Sequence, residues 1–214
     1  PWKDPVFPAF GTVIASIDTA MKEGEQNDYN ALTVLGMFPG EKDRPQIMLK
    51  DAWRGRCSLA NLVDTVSRYC RKHKVDYLLI EDKTRGHDVA QELQRVYAGN
   101  AWSIRLLKVK GDKVSRCNAV SHLWSGDTKI DRATGIETYT GGMVWAPVGE
   151  GVEYDWVEPV LSEFENFPNG KHDDMVDAIV MADSWLRVNR VALRRVEFDE
   201  EELMARTYRK PSKS

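Results

Sequence analysis

The run Val75-Asp76-Tyr77-Leu78-Leu79-Ile80 constrains the fold of this chain more than any other stretch. It is the most continuous apolar run in the sequence, and a run this short and unbroken reads as a strand buried on both faces, in the middle of a parallel sheet. It ends on Glu81. An earlier β-branched run, Thr12-Val13-Ile14-Ala15-Ser16-Ile17, reads as a second buried strand and ends in the same way, on Asp18. A charge at the end of a central strand is unusual. The plain reading of Asp18 is a turn residue opening the loop Thr19 to Asn27, which is rich in Gly, Lys and Glu.

The elements between and after these two strands set the fold class. Tyr29 to Met37 and Gln46 to Arg54 read as further strands, which with the first make a three-stranded antiparallel meander. Leu59, Leu62, Val63, Val66 and Tyr69 or Cys70 recur at helical spacing, so a helix runs from an N-cap at Ser58 to His73. After Glu81 come a helix from His87 to Tyr97, a strand from Ile104 to Val109 and a helix from Val114 to Leu123. Residues 124–147 hold turn signals at Gly126-Asp127, Ala133-Thr134-Gly135 and Gly141-Gly142 between short pieces at Ile136–Tyr139 and Met143–Trp145, a β-hairpin excursion. Glu153 to Phe164 is a helix, and Asn166 to Gly170 turns into the last one. The order predicts an α/β fold whose mixed sheet has three antiparallel strands, then parallel ones, flanked by helices.

A chain of 214 residues, 42% of them hydrophobic, fills one domain. Residues 1–11, with Pro1, Pro5, Pro8 and Gly11, are a lead-in or linker; the domain body spans 12–195, and 196–214 form a charged, flexible tail. The first residue is proline, which suggests a domain cut from a longer chain. A net charge of −3 argues against nucleic-acid binding through bulk charge, so any DNA affinity of the isolated chain is expected to be weak and local. Cys57, Cys70 and Cys117 have no metal-ligand spacing and read as reduced thiols. No apolar run approaches the length of a membrane span, and the start of the chain is not a secretory signal.

The last helix carries the third acidic point. Lys171-His172-Asp173-Asp174-Met175-Val176-Asp177-Ala178 opens a helix reaching about Arg190, with Asp173, Asp174 and Asp177 on one arc and Met175, Ala178, Ile179, Ala182 and Leu186 on the opposite one. Taken alone this is an ordinary acidic first turn, favourable to free N–H groups and to the helix dipole. With the first and fourth strands as neighbours, Asp18 and Glu81 would lie side by side, and this helix could lay its acids across them. Clustered carboxylates repel one another and raise each other's pKa values, unless hard divalent cations sit among the oxygens. Two such ions can activate water and stabilise the leaving oxygen at phosphorus, so the cluster points to phosphodiester hydrolysis. Either Asp174 with Asp177 or Asp173 with Asp177 can face one metal.

At these points the chain resembles the nuclease domain of tailed-bacteriophage large terminase subunits. The resemblance runs in order through Ser16-Ile17-Asp18-Thr19-Ala20, Gly24 to Tyr29, Ile80-Glu81-Asp82-Lys83 with Gly86, Gly111-Asp112-Lys113 with Arg116, Gly142 to Pro147, and Gly170 to Asp174 with Asp177-Ala178. It implies an RNase H-like fold close to Holliday-junction resolvases and an endonuclease that uses two Mg²⁺ or Mn²⁺ ions to cut concatemeric viral DNA during packaging. By position, Asp18, Glu81 and Asp174 are the implied catalytic acids and metal ligands; Asp177 matches a further acid of the resolvase relatives, and Asp28 and Asp173 are lesser candidates. Implied partners are double-stranded DNA, an ATPase motor in the same full-length protein, a portal and a small terminase subunit, in the cytoplasm of an infected bacterium. The motor's phosphate-binding pattern G-x-x-x-x-G-K-[ST] does not occur in these residues.

Four cations have two readings each. Lys83, Arg85, Lys113 and Arg116 can hold DNA phosphate, or be solvated loop charges. His172 assists metal or water, or is a polar residue at a helix start. Two other functions compete: a resolvase or RNase H acting on a branched or hybrid substrate, and a non-catalytic module that docks on the packaging motor, its acids serving only as helix caps.

Overall fold

The structure is a computed structural model that describes residues 1–4, 6–20, 29–40, 45–130, 134, 137–148 and 154–189. Asp28 and the tail from 196, for which the sequence raises expectations, lie outside the described residues.

Strands β1 (Thr12–Asp18), β2 (Asn30–Pro39) and β3 (Pro45–Gly55) form the antiparallel meander, with Ile14 opposite Leu35 and Leu35 opposite Leu49. Helix α1 (Leu59–His73) leads into β4 (Tyr77–Glu81), which returns beside β1 and parallel to it. Helix α2 (Thr84–Val96) and strand β5 (Ser103–Leu107) continue the parallel half. After α3 (Lys113–Ser125) the chain makes a small two-stranded ribbon of β6 (Asp127–Ile130) and β7 (Glu137–Thr140). The expected excursion over 124–147 is therefore shorter than its sequence range. Trp124 is still helical, and β8 (Val144–Trp145) leaves the ribbon to pair in parallel with β3 at the sheet edge. Helices α4 (Val157–Asn166) and α5 (Asp174–Val188) complete the fold. Among the described residues the main sheet has the order β5-β4-β1-β2-β3-β8.

Because successive strand residues point to opposite faces, the sheet feeds two cores. Ala15, Ile17, Leu32, Leu78 and Ile80 meet α1 and α2 on one side; Ile14, Leu35, Ile47, Leu49 and Leu79 meet α3, α4 and α5 on the other. Helix α5 is the most deeply set, with Met175, Val176, Ala178, Ile179, Val180, Met181, Ala182, Asp183 and Leu186 all buried. It packs directly on β1 and β2.

Two local devices place the acids. Asp76 clamps the start of β1 to the chain entering β4: its N–H donates to the Val13 carbonyl at 2.8 Å, and its Oδ2 accepts from the Val13 N–H at 2.7 Å. Asp18 follows Val13 by five residues, and Glu81 follows Asp76 by five, so strands aligned at this clamp end with their acids level. The observed register, Ile17 opposite Ile80, agrees.

The second device is Gly86. Helix α2 begins at Thr84 rather than His87, so Gly86 lies inside it and directly against the end of β4. A Cβ there would stand 2.1 Å from the Glu81 carbonyl oxygen and 3.0 Å from Ile80 Cγ2. Backbone cannot yield as a flexible side chain does, so Gly86→Ala is expected to destabilise the fold by about 1–3 kcal/mol, the usual range for overpacking. Urea denaturation measures it, and an unchanged midpoint would contradict this account of the helix–strand packing.

Candidate metal centre

Asp18 and Glu81 occupy the ends of adjacent parallel strands, and the first turn of α5 brings Asp174 and Asp177 to them. Burial pushes the Asp18 carboxyl up to about 7, and the negative charges of Asp177, Glu81 and Asp174 push the same way, while Lys83 opposes them. Asp177 acts on Asp18 more strongly than any other charge, ahead of Lys83, Glu81 and Asp174. The carboxyl of Asp174 is also raised, by burial first and then by Glu163 and Asp173, with His172 and Arg54 opposing. The charge of Asp177 thus bears on Asp18 more than that of Asp174 does, and Asp174 feels Glu163 of α4 before any other charge.

Protein cations already balance part of this charge. Lys83 Nζ lies 2.6 Å from Glu81 Oε2. From α3, Lys113 Nζ lies 2.6 Å from Asp177 Oδ2 and 2.9 Å from Asp173 Oδ2, and Arg116 donates to Asp177 Oδ1 at 3.1 Å. Burial disfavours the Lys113 charge, but the bonds to Asp173 and Asp177 outweigh it and hold its proton above the ordinary lysine range. Of the four cations singled out from sequence, Lys83, Lys113 and Arg116 therefore touch the acids directly. Arg85 belongs to the first turn of α2 and acts electrostatically on Cys57.

Among the described residues no three His, Cys, Asp or Glu side chains converge as a ready-made metal cage. The donor set nevertheless suits a hard divalent cation: it is all oxygen, it is partly buried, and its charges repel one another. Lys83 and Lys113 are about half exposed, 45% and 48%, so each can swing away from its carboxylate without disturbing the core.

Two features of this region have no signal in the sequence pattern. Asp173 occupies the N-cap position of α5, but its side chain makes no capping bond and turns to Lys113 instead. The cap comes from α4. Glu163 Oε1 accepts from the Met175 N–H at 2.7 Å and the Val176 N–H at 3.2 Å, and its Oε2 accepts from Arg54 at 2.7 Å. The expectation that the acids opening this helix serve its free N–H groups is corrected for Met175 and Val176: a buried carboxylate 12 and 13 residues upstream reaches them. The other feature is Asp183, fully buried on α5 with Oδ2 accepting from Trp124 Nε1 at 2.8 Å. Burial drives its carboxyl to about 7, against the pull of that hydrogen bond.

A family model described as a terminase RNaseH-like domain matches residues 15–184. Among solved structures, the Thermus thermophilus RuvC structure is similar over 86% of this chain and 98% of its own, at 9% identity and a TM-score of 0.46. No curated protein matches the chain.

Proposed function

Since the chain belongs to the terminase RNaseH-like domain family, we propose that it is a metal-dependent DNA endonuclease that cuts concatemeric viral DNA during genome packaging. The observation that supports this reading is that Asp18 and Glu81 end adjacent parallel strands and that the charges of Asp177, Glu81 and Asp174 all bear on the Asp18 carboxyl, which burial holds near 7. A structural role as helix caps leaves Asp18 and Glu81 unaccounted for. Asp18 and Glu81 end strands, and the cap of α5 is Glu163.

In this reading Asp18, Glu81, Asp174 and Asp177 would hold two Mg²⁺ or Mn²⁺ ions, which would supply Lewis-acid activation of water and charge stabilisation for phosphodiester hydrolysis. The protein's own part is to keep the carboxylates level and partly dry, through the Asp76 clamp and the close approach of α2 at Gly86. Lys83, Lys113 and Arg116, now bound to those acids, are placed to transfer their charge to the phosphates of double-stranded DNA. Arg85 stands beside Lys83 at the start of α2 and serves the same strand. An ATPase motor, a portal and a small terminase subunit are the expected partners, in the cytoplasm of the infected host.

The test is incubation of supercoiled plasmid with the purified chain and Mn²⁺ or Mg²⁺, in parallel with a four-way junction and an RNA–DNA hybrid. Nicked and linear plasmid that disappears on adding EDTA is the expected result. Faster cutting of the junction or the hybrid would transfer the assignment to a resolvase or an RNase H. If Mn²⁺ neither supports cutting nor shifts thermal unfolding, the chain is a docking module.

A further inference from the structure

Beside the acids the structure has a cleft of about 430 Å³ that the four carboxylates do not use. Its walls are β3, α4 and the turn before α5, and it presents Arg54, Asn166, Asn169, Lys171 and His172 around Glu163. Glu163 is the acid of this group, and its charge is already met: one oxygen accepts two α5 N–H groups and the other accepts from Arg54. Arg54 is bound to Glu163 and Asn166 Nδ2 donates to the Ser162 carbonyl at 2.7 Å, but Asn169, Lys171 and His172 add donors and Glu163 is the one carboxylate of the lining, so the cleft suits an anion. His172, one of its lining residues, lies two residues before Asp174.

The rim carries a second, independent feature. Tyr29 meets the His172 ring edge to face, with centroids 5.2 Å apart. The Arg56 guanidinium lies over the Tyr29 ring at 4.1 Å, and the Arg54 guanidinium at 5.1 Å. Such stacking holds the flexible Arg56 cation in place, which lowers the entropy cost of gripping a phosphate, while Arg54 is held as well by its bond to Glu163. A basic rim pre-set on an aromatic ring, opening on a donor-rich cleft, is a surface for a nucleic-acid backbone rather than for a small apolar ligand.

We propose that this cleft binds the sugar–phosphate backbone of the DNA strand flanking the cut, with Lys171 and Arg56 gripping phosphate and Tyr29 holding Arg56 in place. The inference rests on the endonuclease reading for its substrate. It adds a track for the strand on the α4 side of the acids, opposite in kind to Lys113 and Arg116, whose charges are engaged by Asp177. The strand then passes from the cleft, over the α5 start, to Asp18 and Glu81.

The experiment measures binding of a fluorescein-labelled duplex by the full chain in Ca²⁺, which supports binding without cutting, across a series of salt concentrations. The double variant Lys171→Ala/Arg56→Ala is expected to weaken binding about tenfold and to reduce the slope of log affinity against log salt by about 1–2, one for each phosphate no longer neutralised. Because Glu163 holds Arg54 independently of the ring, Tyr29→Leu is expected to weaken binding about threefold through Arg56, with little further change once Arg56 is already alanine. The control is Arg95→Ala on α2, a residue paired with Glu92 in the other helical layer, whose binding and slope should equal those of the unaltered chain. Unchanged affinity and slope in the double variant, or no binding by the unaltered chain at low salt, overturns the proposal. Asp18→Ala separates the two claims: loss of plasmid cutting in Mn²⁺ with duplex binding in Ca²⁺ retained bears on the acids, and loss of binding confined to the cleft variants bears on the track.

Discussion

Asp18→Asn is expected to lower metal-dependent cutting by about a thousandfold or more while leaving the fold intact, since groups that act as a unit fail together when one is removed. The same variant should be more stable than the unaltered chain without metal at pH 8. The Asp18 carboxyl is held at about 7 in the fold, against an ordinary value of 3.8, so between these two values the folded state binds more protons than the unfolded one. Stability that depends on the neutral form is fully present below about pH 4 and is lost as pH rises through 7. Asparagine has no such proton to lose. Thermal unfolding of both proteins at pH 5 and pH 8 measures the effect, and the gap between them should open with rising pH. Adding Mn²⁺ should stabilise only the unaltered chain, and more at pH 8 than at pH 6, because a ligand carboxylate must be deprotonated. An Asp18→Asn protein that cuts at the normal rate, or is stabilised equally by Mn²⁺, would remove Asp18 from the site.

Glu163→Ala is the second large effect, and it acts through stability. It strands the Arg54 guanidinium and leaves the Met175 and Val176 N–H groups without their acceptor. Breaking a buried pair from one side costs about 3–5 kcal/mol, and because the Arg54 side chain is 25% exposed the lower end applies. Glu163→Gln keeps an oxygen for the two N–H groups and loses only the charge, so a cost of about 1–2 kcal/mol is expected. Chemical denaturation orders the three proteins. If alanine is no worse than glutamine, the N–H groups of α5 do not depend on this carboxylate. Cutting should follow the same order, because the turn that Glu163 holds is the one that carries Asp174.

The strand ends are legible in the sequence for a physical reason. A buried strand announces itself by continuous apolar residues, and a charge closing it stands out, as Asp18 and Glu81 do. The acidic arc of α5 is readable in the same way, from period alone. Pairings between elements distant in sequence leave no such mark. Glu163 is far outside the three-residue window in which caps are sought, and Lys113 and Arg116 become acid partners only because α3 packs on α5. The sequence pattern puts the start of α2 three residues late, since a glycine lowers helix propensity while the close approach to Glu81 requires one. It puts Val144–Trp145 in the hairpin because the actual partner of this piece, β3, lies nearly a hundred residues away.

The parallel pairing of β1 with β4 also has a bearing on how the protein comes into being. Its two acids are separated by the whole meander and α1, and the third arrives only with the last described helix. Pairings so remote in sequence close large loops and form late, after local helices and hairpins. A chain still emerging from the ribosome, or one caught half-folded, has its carboxylates scattered and no place where a phosphodiester can be attacked. In the proposed endonuclease the capacity to cut DNA is thereby tied to completion of this fold, from β1 through α5.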